Sequence, residues 1–398
     1  MKDGVEMQDT GYKLKHLELK QLSGEQRTVM DQPFDRNVVV EGGPGTGKTT
    51  LAVQRAEMLV TEGYSTLVLV FSRPLMRFIQ NSQPKNNWET VEFYTLNADG
   101  TKDYHEFNSD YTVSTYLSWL NSLYWQRFGK GYPTTGTTEP DWEQIEKELT
   151  SIGRIYDQII VDEGQDFPVP LLRCLRSLAS TVMVFMDPHQ AIEKSKTTGS
   201  VAAYILDAAS YHLGTNFRST REITEFSDIY RAKQDVAPGE ESGQIPAVIT
   251  CASYEDQVNK MLEVIRAFNY RSVGIILDTR PAKKLYEIMK KRLEGKAHVQ
   301  LYEPHTYRDF DFERNEVKII TYGTAKGLEF DVVILPQITR VNTSGDHVSD
   351  MARMHIATSR ARKALFLFKV AGENTDSTKW IDTLTPLQGS ESKYKSVY

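Results

Sequence analysis

Residues 42–49 read Gly-Gly-Pro-Gly-Thr-Gly-Lys-Thr, and they follow an apolar run at Val38–Val40. The glycines let the backbone curl so that successive N–H groups point at phosphate oxygens, and the helical pattern at 49–60 adds the dipole of its N-terminus. Lys48 can then reach the β- and γ-phosphates of a nucleotide, and the Thr49 hydroxyl can bind Mg²⁺. A chance glycine turn is the alternative, but the strand before the turn and the Lys-Thr pair at its end favour a nucleoside triphosphate site.

Contacts to the nucleotide are predicted from the whole loop and from the residue that follows it. The predicted set is Gly43, Pro44, Gly45, Thr46, Gly47, Lys48, Thr49 and Thr50.

Composition limits the classes of protein to which the 398-residue chain can belong. Its net charge of −6 excludes a globally basic nucleic-acid binder, although a basic groove needs only a positive lining. The chain has no apolar run near the ~18 residues of a membrane span, so we expect no membrane partner. The polar N-terminus resembles no secretory signal, and the two cysteines, Cys174 and Cys251, form no metal motif. These features predict a reduced, cytoplasmic location.

Strand-like runs alternate with helical patterns along the chain, which predicts an α/β fold with mainly parallel sheets. The length of 398 residues predicts two domains of ordinary size. We expect an N-terminal lead at 1–20, a first domain at 21–190 and a second at 191–385, followed by a loose tail at 386–398. A polar, aromatic-rich stretch at 83–155 is predicted to form an insertion on the surface of the first domain.

A second motif follows the predicted strand at 159–161, where the sequence continues Asp162-Glu163-Gly164-Gln165-Asp166. Asp162 at the end of a strand can hold Mg²⁺, and Glu163 can polarise a water molecule for in-line attack on the γ-phosphate. Two solvated acids are the alternative, and the phosphate loop upstream argues against it. The adjacent Asp-Glu pair favours hydrolysis over transfer to an organic acceptor.

The Asp-Glu-x-Gln-Asp pattern resembles superfamily 1A helicases of the UvrD, Rep and PcrA type. Further segments of that family occur in order between residues 20 and 370. They are Leu22–Gln26, Leu67–Ser72, Met186–Ile192, Leu213–Ser219, Thr324–Asp331 and Ile356–Arg362. The resemblance implies two RecA-like domains with mainly parallel sheets and a nucleotide site in the cleft between them.

The resemblance also implies roles in nucleotide and strand binding. Gln26 corresponds to the residue that reads the adenine edge, Phe217 to the residue that stacks against the base, and Glu329 to the residue that contacts the ribose. The end of the segment at 67–72 corresponds to a contact with single-stranded DNA.

Three further residues take catalytic roles by the same resemblance, together with Lys48 and Glu163. Gln190 corresponds to the γ-phosphate sensor, and Arg218 and Arg360 correspond to two arginines that act on the γ-phosphate. Arginines supplied from a second domain can neutralise charge on the γ-phosphoryl group and couple domain closure to hydrolysis. Taken singly, each arginine would be assigned to a surface salt bridge.

The sequence departs from larger family members in two places. Only a short connection, at 299–318, stands where they carry a bulky insertion, so that subdomain is expected to be absent. The residues Glu193–Lys196 lack the aromatic side chain that stacks on DNA bases in the family, so the stacking energy of ~1–3 kcal/mol per base is lost there. An aromatic platform at 104–132 is one possible compensation, but the helical spacing of Tyr116, Leu120 and Tyr124 favours a small core.

The leading hypothesis is an ATP-driven helicase or translocase on single-stranded DNA, with the 3′ to 5′ polarity of the family and Mg²⁺ as cofactor. RNA stays open as the strand, because no feature of the sequence reads a 2′-OH. The second hypothesis is a nucleic-acid-responsive ATPase switch that regulates a protein partner such as a nuclease, in DNA repair or in defence against foreign DNA. A phosphoryl-transfer kinase ranks last, because it leaves the segments at 216–219 and 324–331 without a function.

Overall fold

The computed structural model describes residues 21–71, 73–82, 91–96, 102–107, 111–136, 139–187, 197–230, 237–269, 271–302, 316–337 and 347–372. These residues fall into two compact units. The N-terminal unit comprises the described parts of Lys15–Arg218 and Arg231–Glu240, and the C-terminal unit comprises those of Ser219–Tyr230 and Glu241–Tyr398.

The N-terminal unit is built on a six-stranded sheet in which every strand pair is parallel. The strand order is β5-β2-β6-β7-β1-β8. The strands of the unit are β1 (Val38–Gly42), β2 (Thr66–Val70), β3 (Val91–Leu96), β4 (Lys102–Phe107), β5 (Thr112–Thr115), β6 (Tyr156–Val161), β7 (Ala179–Met186), β8 (Ala209–Leu213), β9 (Thr215–Asn216) and β10 (Ala237–Pro238). Strands β3 and β4 form an antiparallel pair, and β9 and β10 form a short parallel pair.

Helices connect these strands, as parallel pairing requires. They are α1 (Gly24–Met30), α2 (Lys48–Thr61), α3 (Arg73–Ser82), α4 (Tyr116–Phe128), α5 (Trp142–Ile152), α6 (Val169–Leu178) and α7 (Gly199–Leu206). The central strands read as almost continuous apolar runs because both faces of the sheet are covered, and Leu67, Val68 and Leu69 are all fully buried.

The predicted surface insertion at 83–155 requires correction, because much of it belongs to the fold of the N-terminal unit. Strand β5 pairs with β2 at the edge of the main sheet. Leu120 of α4 and Ile145 of α5 are fully buried in the same core as Leu67 and Ile159. The alternation of strands and helices therefore continues through this stretch.

The aromatic side chains of this stretch mainly form core, as the helical spacing predicted. Trp119 and Tyr124 are buried in the core of the unit, and Tyr116 packs against it. Trp125 is the exception, since 58% of its surface is exposed. The side chains of Tyr104 and Phe107 lie outside the described residues.

The two units divide after Arg218, which is later than the boundary placed at 190 from the sequence. Helix α7 packs on β1, β7 and β8, and β8 pairs with β1 along its full length. Residues 197–213 therefore complete the first sheet. The short, polar β8 (Ala-Ser-Tyr-His-Leu) gave no apolar signal from which it could be predicted.

The C-terminal unit holds a second six-stranded sheet, again with every pair parallel, in the order β11-β16-β15-β12-β14-β13. Its strands are β11 (Ala247–Cys251), β12 (Val273–Leu277), β13 (Val299–Leu301), β14 (Val317–Thr321), β15 (Phe330–Leu335) and β16 (Ala361–Val370). Its helices are α8 (Arg221–Asp228), α9 (Tyr254–Ala267), α10 (Thr279–Arg292) and α11 (His347–Thr358). The α/β class with mainly parallel sheets is thus confirmed.

Local signals read from the sequence also recur in this unit. The Ser253 side chain caps α9 by accepting a hydrogen bond from the Asp256 N–H, as its spacing predicted. Val258, Met261, Leu262 and Ile265 of α9 are buried, which confirms the apolar stripe of that helix. Within the described part of the chain, no helix has the length and apolar character needed to cross a membrane.

Candidate functional site

The glycine-rich turn joins β1, which ends at Gly42, to α2, which begins at Lys48. Gly45 (φ 76°) and Gly47 (φ 93°) adopt left-handed conformations that only glycine enters readily, and they let the backbone curl at the end of the strand. The predicted phosphate-binding residues 43–50 all lie in this turn and in the first turn of α2. The local sequence thus builds a concave backbone at a helix N-terminus, which is the geometry that binds phosphate.

The Lys48 side chain lies inside this turn and is only 8% exposed. Its Nζ donates hydrogen bonds of 2.7 Å to the Gly42 and Gly43 carbonyl oxygens. Burial lowers the pKa of the Lys48 ammonium, whereas the negative charges of Asp187, Glu163 and Asp162 oppose that shift. The ammonium is therefore held beside three carboxylates at the carboxyl edge of the sheet.

Asp162 follows β6 directly, and its side chain is fully buried beside the first turn of α2. The Thr49 Oγ1 donates a 2.7 Å hydrogen bond to Asp162 Oδ2. Burial and the adjacent Glu163 carboxylate raise the pKa of Asp162 to about 6. The two residues predicted to bind Mg²⁺ are thus in direct contact.

Glu163 is held in an uncommon backbone conformation, with φ 59° and ψ 41°. Its Oε2 accepts a hydrogen bond from the Gln165 amide, and Gln165 Oε1 accepts a 2.8 Å hydrogen bond from the Asp187 N–H. Gln165 therefore joins the predicted general base to the end of β7. No role was assigned to Gln165 or Asp187 from the sequence, although both stand in the recognised motifs.

Gln26 is brought to the same turn by the N-terminal helix. Ser23 and Gln26 form a reciprocal capping box at the start of α1, in which each side chain bonds the backbone N–H of the other residue. The Gln26 Nε2 then donates a 3.0 Å hydrogen bond to the Thr46 carbonyl oxygen. Gln26 therefore lies at the phosphate-binding turn, beside Gly47.

The segment that follows β8 is attached to the turn through its backbone. The Phe217 N–H donates a 2.9 Å hydrogen bond to the Gly45 carbonyl oxygen, and the Asn216 side chain packs directly on the Gly45 Cα. Asn216 Oδ1 accepts a 2.9 Å hydrogen bond from the Arg218 N–H. Phe217 is an exposed residue, with 52% of its surface accessible.

Arg218 belongs to the N-terminal unit, and this corrects the expectation that the second domain supplies it. Its charge is near enough to contribute to the lowered pKa of Lys48. The pairing of β8 with β1 thus brings these two cations near each other at the edge of the sheet where the glycine-rich turn lies.

Glu329 and Arg360 both lie in the C-terminal unit, at adjacent strands. The Phe330 N–H donates to the Arg360 carbonyl oxygen at 2.9 Å, which places the segment before β15 beside the segment before β16. The buried Arg360 guanidinium donates to the Ile356 carbonyl oxygen (2.9 Å), the Ser359 hydroxyl (2.9 Å) and the Leu328 carbonyl oxygen (3.4 Å).

Two other predicted contacts lie outside the described residues. They are Gln190, together with the Glu193–Lys196 stretch, and Ser72.

The residues present fit a nucleotide with Mg²⁺. A positive-φ glycine turn at the N-terminus of a 14-residue helix presents backbone N–H groups to phosphates. Thr49 Oγ1 and the Asp162 carboxylate supply hard oxygen ligands, and Mg²⁺ typically takes one or two such protein ligands besides phosphate oxygens and water. The described residues contain no cluster of three or more His, Cys, Asp or Glu side chains suited to a metal. When bound, Mg²⁺ neutralises charge between the β- and γ-phosphates.

Comparisons with known proteins agree with this site. A family model described as "AAA domain" matches residues 26–196, which include the glycine-rich turn and the paired carboxylates. The chain is 22% identical over 258 residues to "Putative ATP-dependent DNA helicase R568" of Acanthamoeba polyphaga mimivirus, and 21% identical over 292 residues to "Gabija protein GajB" of Bacillus cereus (strain VD045). These alignments cover 56% and 64% of the chain, but only 36% and 59% of the two relatives.

A solved structure supports the two-domain architecture. The Saccharomyces cerevisiae protein Dbp5, in a structure with RNA and ADP BeF3, superposes with a TM-score of 0.52 at 16% sequence identity. The superposition covers 95% of this chain and 90% of Dbp5, so both sheets of the chain take part. The fold is therefore that of the RecA-like helicases. Together with the family-model match over residues 26–196, the fold supports a nucleotide-binding P-loop protein that is similar to helicases.

Proposed function

We propose that the chain is an ATP-dependent helicase or translocase of the UvrD, Rep and PcrA type that moves 3′ to 5′ on single-stranded DNA. The observation that carries this proposal is the convergence of three chain segments on one turn. The Gln26 amide, the Thr49–Asp162 pair and the Phe217 backbone all contact residues 45–49. A phosphate loop alone occurs in enzymes of many classes. These segments together supply groups that can contact the base and the phosphates and that can position the attacking water.

Each side chain has one task in the proposed hydrolysis. Glu163 accepts the proton of the attacking water, and Gln165 holds the Glu163 carboxylate in position through their hydrogen bond. Lys48 and Arg218 neutralise the charge that develops on the γ-phosphoryl group. Phe217 offers its exposed ring to the base, and Gln26 hydrogen bonds to the edge of the base.

The C-terminal unit contributes Glu329 and Arg360 in the proposed cycle. Glu329 contacts the ribose, and Arg360 acts as the second arginine on the γ-phosphate. The Arg360 guanidinium must then exchange its hydrogen bonds to the Ile356 and Leu328 carbonyls for phosphate oxygens. Closure of the two domains would then depend on the presence of the γ-phosphate, and a motor requires such a dependence.

Support for DNA as the strand comes from the printed name of the mimivirus relative, which is that of a DNA helicase. Dbp5 was solved with RNA, so RNA is the matched alternative in every assay. Both cysteines are free thiols, in keeping with the cytoplasmic location that the proposal assumes.

A second candidate uses the same chemistry as a switch that regulates a protein partner, such as a nuclease, in repair or defence. One observation favours it. Strands β13 and β14 are direct neighbours in the sheet, and only residues 302–316 connect them. The connection is too short to hold the bulky subdomain with which larger family members engage duplex DNA.

An unwinding assay separates the two candidates. Wild type and Glu163→Gln are incubated with ATP and duplexes that carry a 3′ tail, a 5′ tail or no tail. Strand separation on the 3′-tailed duplex alone, absent from Glu163→Gln, supports the motor. DNA-stimulated hydrolysis without strand separation or translocation supports the switch, and recovery of a stoichiometric protein partner would strengthen that reading.

A further inference from the structure

Two short segments of the chain run next to each other where the chain leaves the N-terminal unit. It passes into the C-terminal unit after Arg218 and again after Glu240. We define the first crossing segment as residues 215–222 and the second crossing segment as residues 237–243. The second segment is polar and reads Ala-Pro-Gly-Glu-Glu-Ser-Gly, and the nucleotide site gives it no role.

Within the N-terminal unit, the crossing segments pair as the short parallel strands β9 and β10. Thr215 pairs with Ala237, and Asn216 pairs with Pro238. The next residue, Gly239, packs so closely on the Asn216 carbonyl oxygen that a Cβ at this position would overlap it. A glycine therefore keeps the two backbones in contact at the last residues of the unit.

Within the C-terminal unit, the same two segments are joined again. The Arg221 N–H donates a 2.8 Å hydrogen bond to the Glu241 carbonyl oxygen. The Glu222 carboxylate then accepts hydrogen bonds from the Ser242 hydroxyl (2.6 Å) and from the Gly243 N–H (2.8 Å). Glu222 is thus the side chain that bonds the first crossing segment to the second in this unit.

The first crossing segment is also fixed to the second sheet as soon as it enters the C-terminal unit. The buried Ser219 hydroxyl donates a 2.6 Å hydrogen bond to the Ala361 carbonyl oxygen. The Thr220 N–H donates a 3.1 Å hydrogen bond to the Arg362 carbonyl oxygen. The residue before Arg218 is bonded to the glycine-rich turn. Both chain neighbours of Arg218 are therefore anchored, each in its own unit.

The stability of helix α8 does not account for these contacts of Glu222. An acidic side chain in the first turn of a helix interacts favourably with the helix dipole, and Glu255 takes the equivalent position in α9. The Glu255 side chain is 80% exposed, however, and its carboxylate stands 3.8 Å from Arg292. Burial raises the pKa of the Glu222 carboxyl, but the hydrogen bonds from Ser242 and Gly243 outweigh burial and lower it. Such charge-assisted hydrogen bonds are about twice as strong as neutral ones.

From these observations we infer that Glu222 is a positioning residue for the proposed hydrolysis, because it holds the two crossing segments together as one double-stranded connection. Two strands bonded side by side restrict rotation about the backbone bonds of each strand. The connection thereby fixes the backbone that carries Arg218, and a displacement of ~1 Å at a catalytic group can cost about 100-fold in rate. The inference rests on the proposed function, in which Arg218 acts on the γ-phosphate, and Glu222 acts through the backbone.

The test compares acidic residues at equivalent positions of two helices in one unit. Glu222→Ala removes both hydrogen bonds. Glu222→Gln removes the charge but can keep both partners, since its oxygen can accept from the Gly243 N–H and its amide can donate to the Ser242 hydroxyl. Glu255→Ala is the control, because it removes a first-turn charge from α9.

ATP hydrolysis is measured with saturating oligo(dT) over a range of ATP concentrations, which gives kcat and KM separately. Titration with a fluorescent ADP counts the intact nucleotide sites in each preparation. The kcat value is then expressed per intact site, so that unfolded protein is not mistaken for slower hydrolysis. Thermal unfolding reports any loss of stability separately from the loss of rate.

We expect Glu222→Ala to lower kcat per intact site about tenfold, with KM for ATP within about twofold of wild type. Glu222→Gln should restore kcat to within about threefold of wild type, because it keeps both partners. The control Glu255→Ala should match wild type.

Equal kcat in Glu222→Ala and Glu255→Ala would overturn the inference while leaving the proposed motor intact. A loss in Glu222→Gln as large as that in Glu222→Ala would also overturn it, in favour of a charge effect on α8. A higher KM with unchanged kcat would overturn it in favour of a role in nucleotide binding. Wild-type protein that hydrolyses no ATP would overturn both this inference and the proposed function.

Discussion

Thr49 Oγ1 lies 2.7 Å from Asp162 Oδ2, although the two residues are 113 positions apart in the sequence. The hydrogen bond joins the first turn of α2 to the carboxyl end of β6. It forms because parallel strands bring their carboxyl ends to one edge of the sheet, where the glycine-rich turn also lies. The hydrogen bond places the two predicted Mg²⁺ ligands side by side.

The Thr49 hydroxyl should therefore be essential, and its methyl group dispensable. We expect Thr49→Ala to lower kcat for ATP hydrolysis by about 100-fold, because an electrostatic contact at the phosphates is lost. Thr49→Ser keeps the hydroxyl and should stay close to wild type. Steady-state hydrolysis at several Mg²⁺ concentrations checks this, and equal rates for the Ala and Ser variants would contradict it.

Gln165 should act through Glu163 and not on the nucleotide directly. We expect Glu163→Gln to reduce kcat by at least about 100-fold, because the general base is lost. Gln165→Ala should reduce kcat by about tenfold with little change in KM, because Glu163 loses the partner that positions it. The split between kcat and KM is the diagnostic readout. A large rise in KM with unchanged kcat would assign Gln165 to binding instead.

The contact between Gly45 and Asn216 can be tested against a second glycine that has the same φ. Gly45 and Gly136 both have φ +76°, but a Cβ on Gly45 would lie 2.0 Å from Asn216 Oδ1, whereas a Cβ on Gly136 meets nothing within 4 Å. Both alanine variants should lose about 1–2 kcal/mol of stability through the backbone conformation. Gly45→Ala alone should lose a further ~1–3 kcal/mol through the clash.

Urea unfolding measures this difference, and ATP hydrolysis measures its consequence. Because the clash displaces the segment that carries Phe217 and Arg218, Gly45→Ala should also lose ATPase activity, whereas Gly136→Ala should keep it. Equal stability of the two variants would mean that Asn216 can move away at little cost.

Arg55 should stabilise the N-terminal unit because it forms hydrogen bonds with the segment between α1 and β1. Its guanidinium donates to the carbonyl oxygens of Met30 (2.8 Å), Gln32 (2.7 Å) and Pro33 (3.1 Å) and lies 4.2 Å from the centre of the Phe34 ring. We expect Arg55→Ala to lower the free energy of unfolding by about 3 kcal/mol, because a buried carbonyl loses its donor. The exposed Arg36 provides the control, and Arg36→Ala should change stability by less than ~0.5 kcal/mol.

Both thiols should be unreactive in the folded protein. Burial raises the pKa of Cys174 to about 12 and also raises that of Cys251. Since the thiolate is the reactive form, native protein at pH 8 should be modified slowly by a thiol reagent such as DTNB. Denatured protein should release two equivalents quickly. Fast modification of the native protein would indicate local opening around α6 or β11.

Much of the fold followed from local sequence signals, and the exceptions have physical causes. The long apolar strands and the Ser253 cap were predicted because their signals are local. Strands β5 and β8 were missed because each is a short edge strand with polar residues, so the periodic apolar pattern is weak. The tertiary pairing of β8 with β1 decides that Arg218 lies beside the phosphate-binding turn, and local sequence does not encode that pairing.

In the candidate site, too, the residues of the sequence motifs could be predicted, whereas the residues that hold them in place could not. The predicted nucleotide residues of the N-terminal unit lie together, because strand order brings their segments to one edge of the sheet. Gln165 and Asn216 act on other protein groups through contacts that depend on backbone positions far along the chain. Such contacts become visible only in the folded structure.

The most direct test of the proposed function is steady-state ATP hydrolysis by wild type and Lys48→Ala, each measured without nucleic acid and with single-stranded DNA, duplex DNA or RNA. The proposed motor predicts that single-stranded DNA strongly stimulates wild-type hydrolysis and that Lys48→Ala abolishes it. Hydrolysis by wild type at one rate under all four conditions would contradict the motor and direct attention to a protein partner.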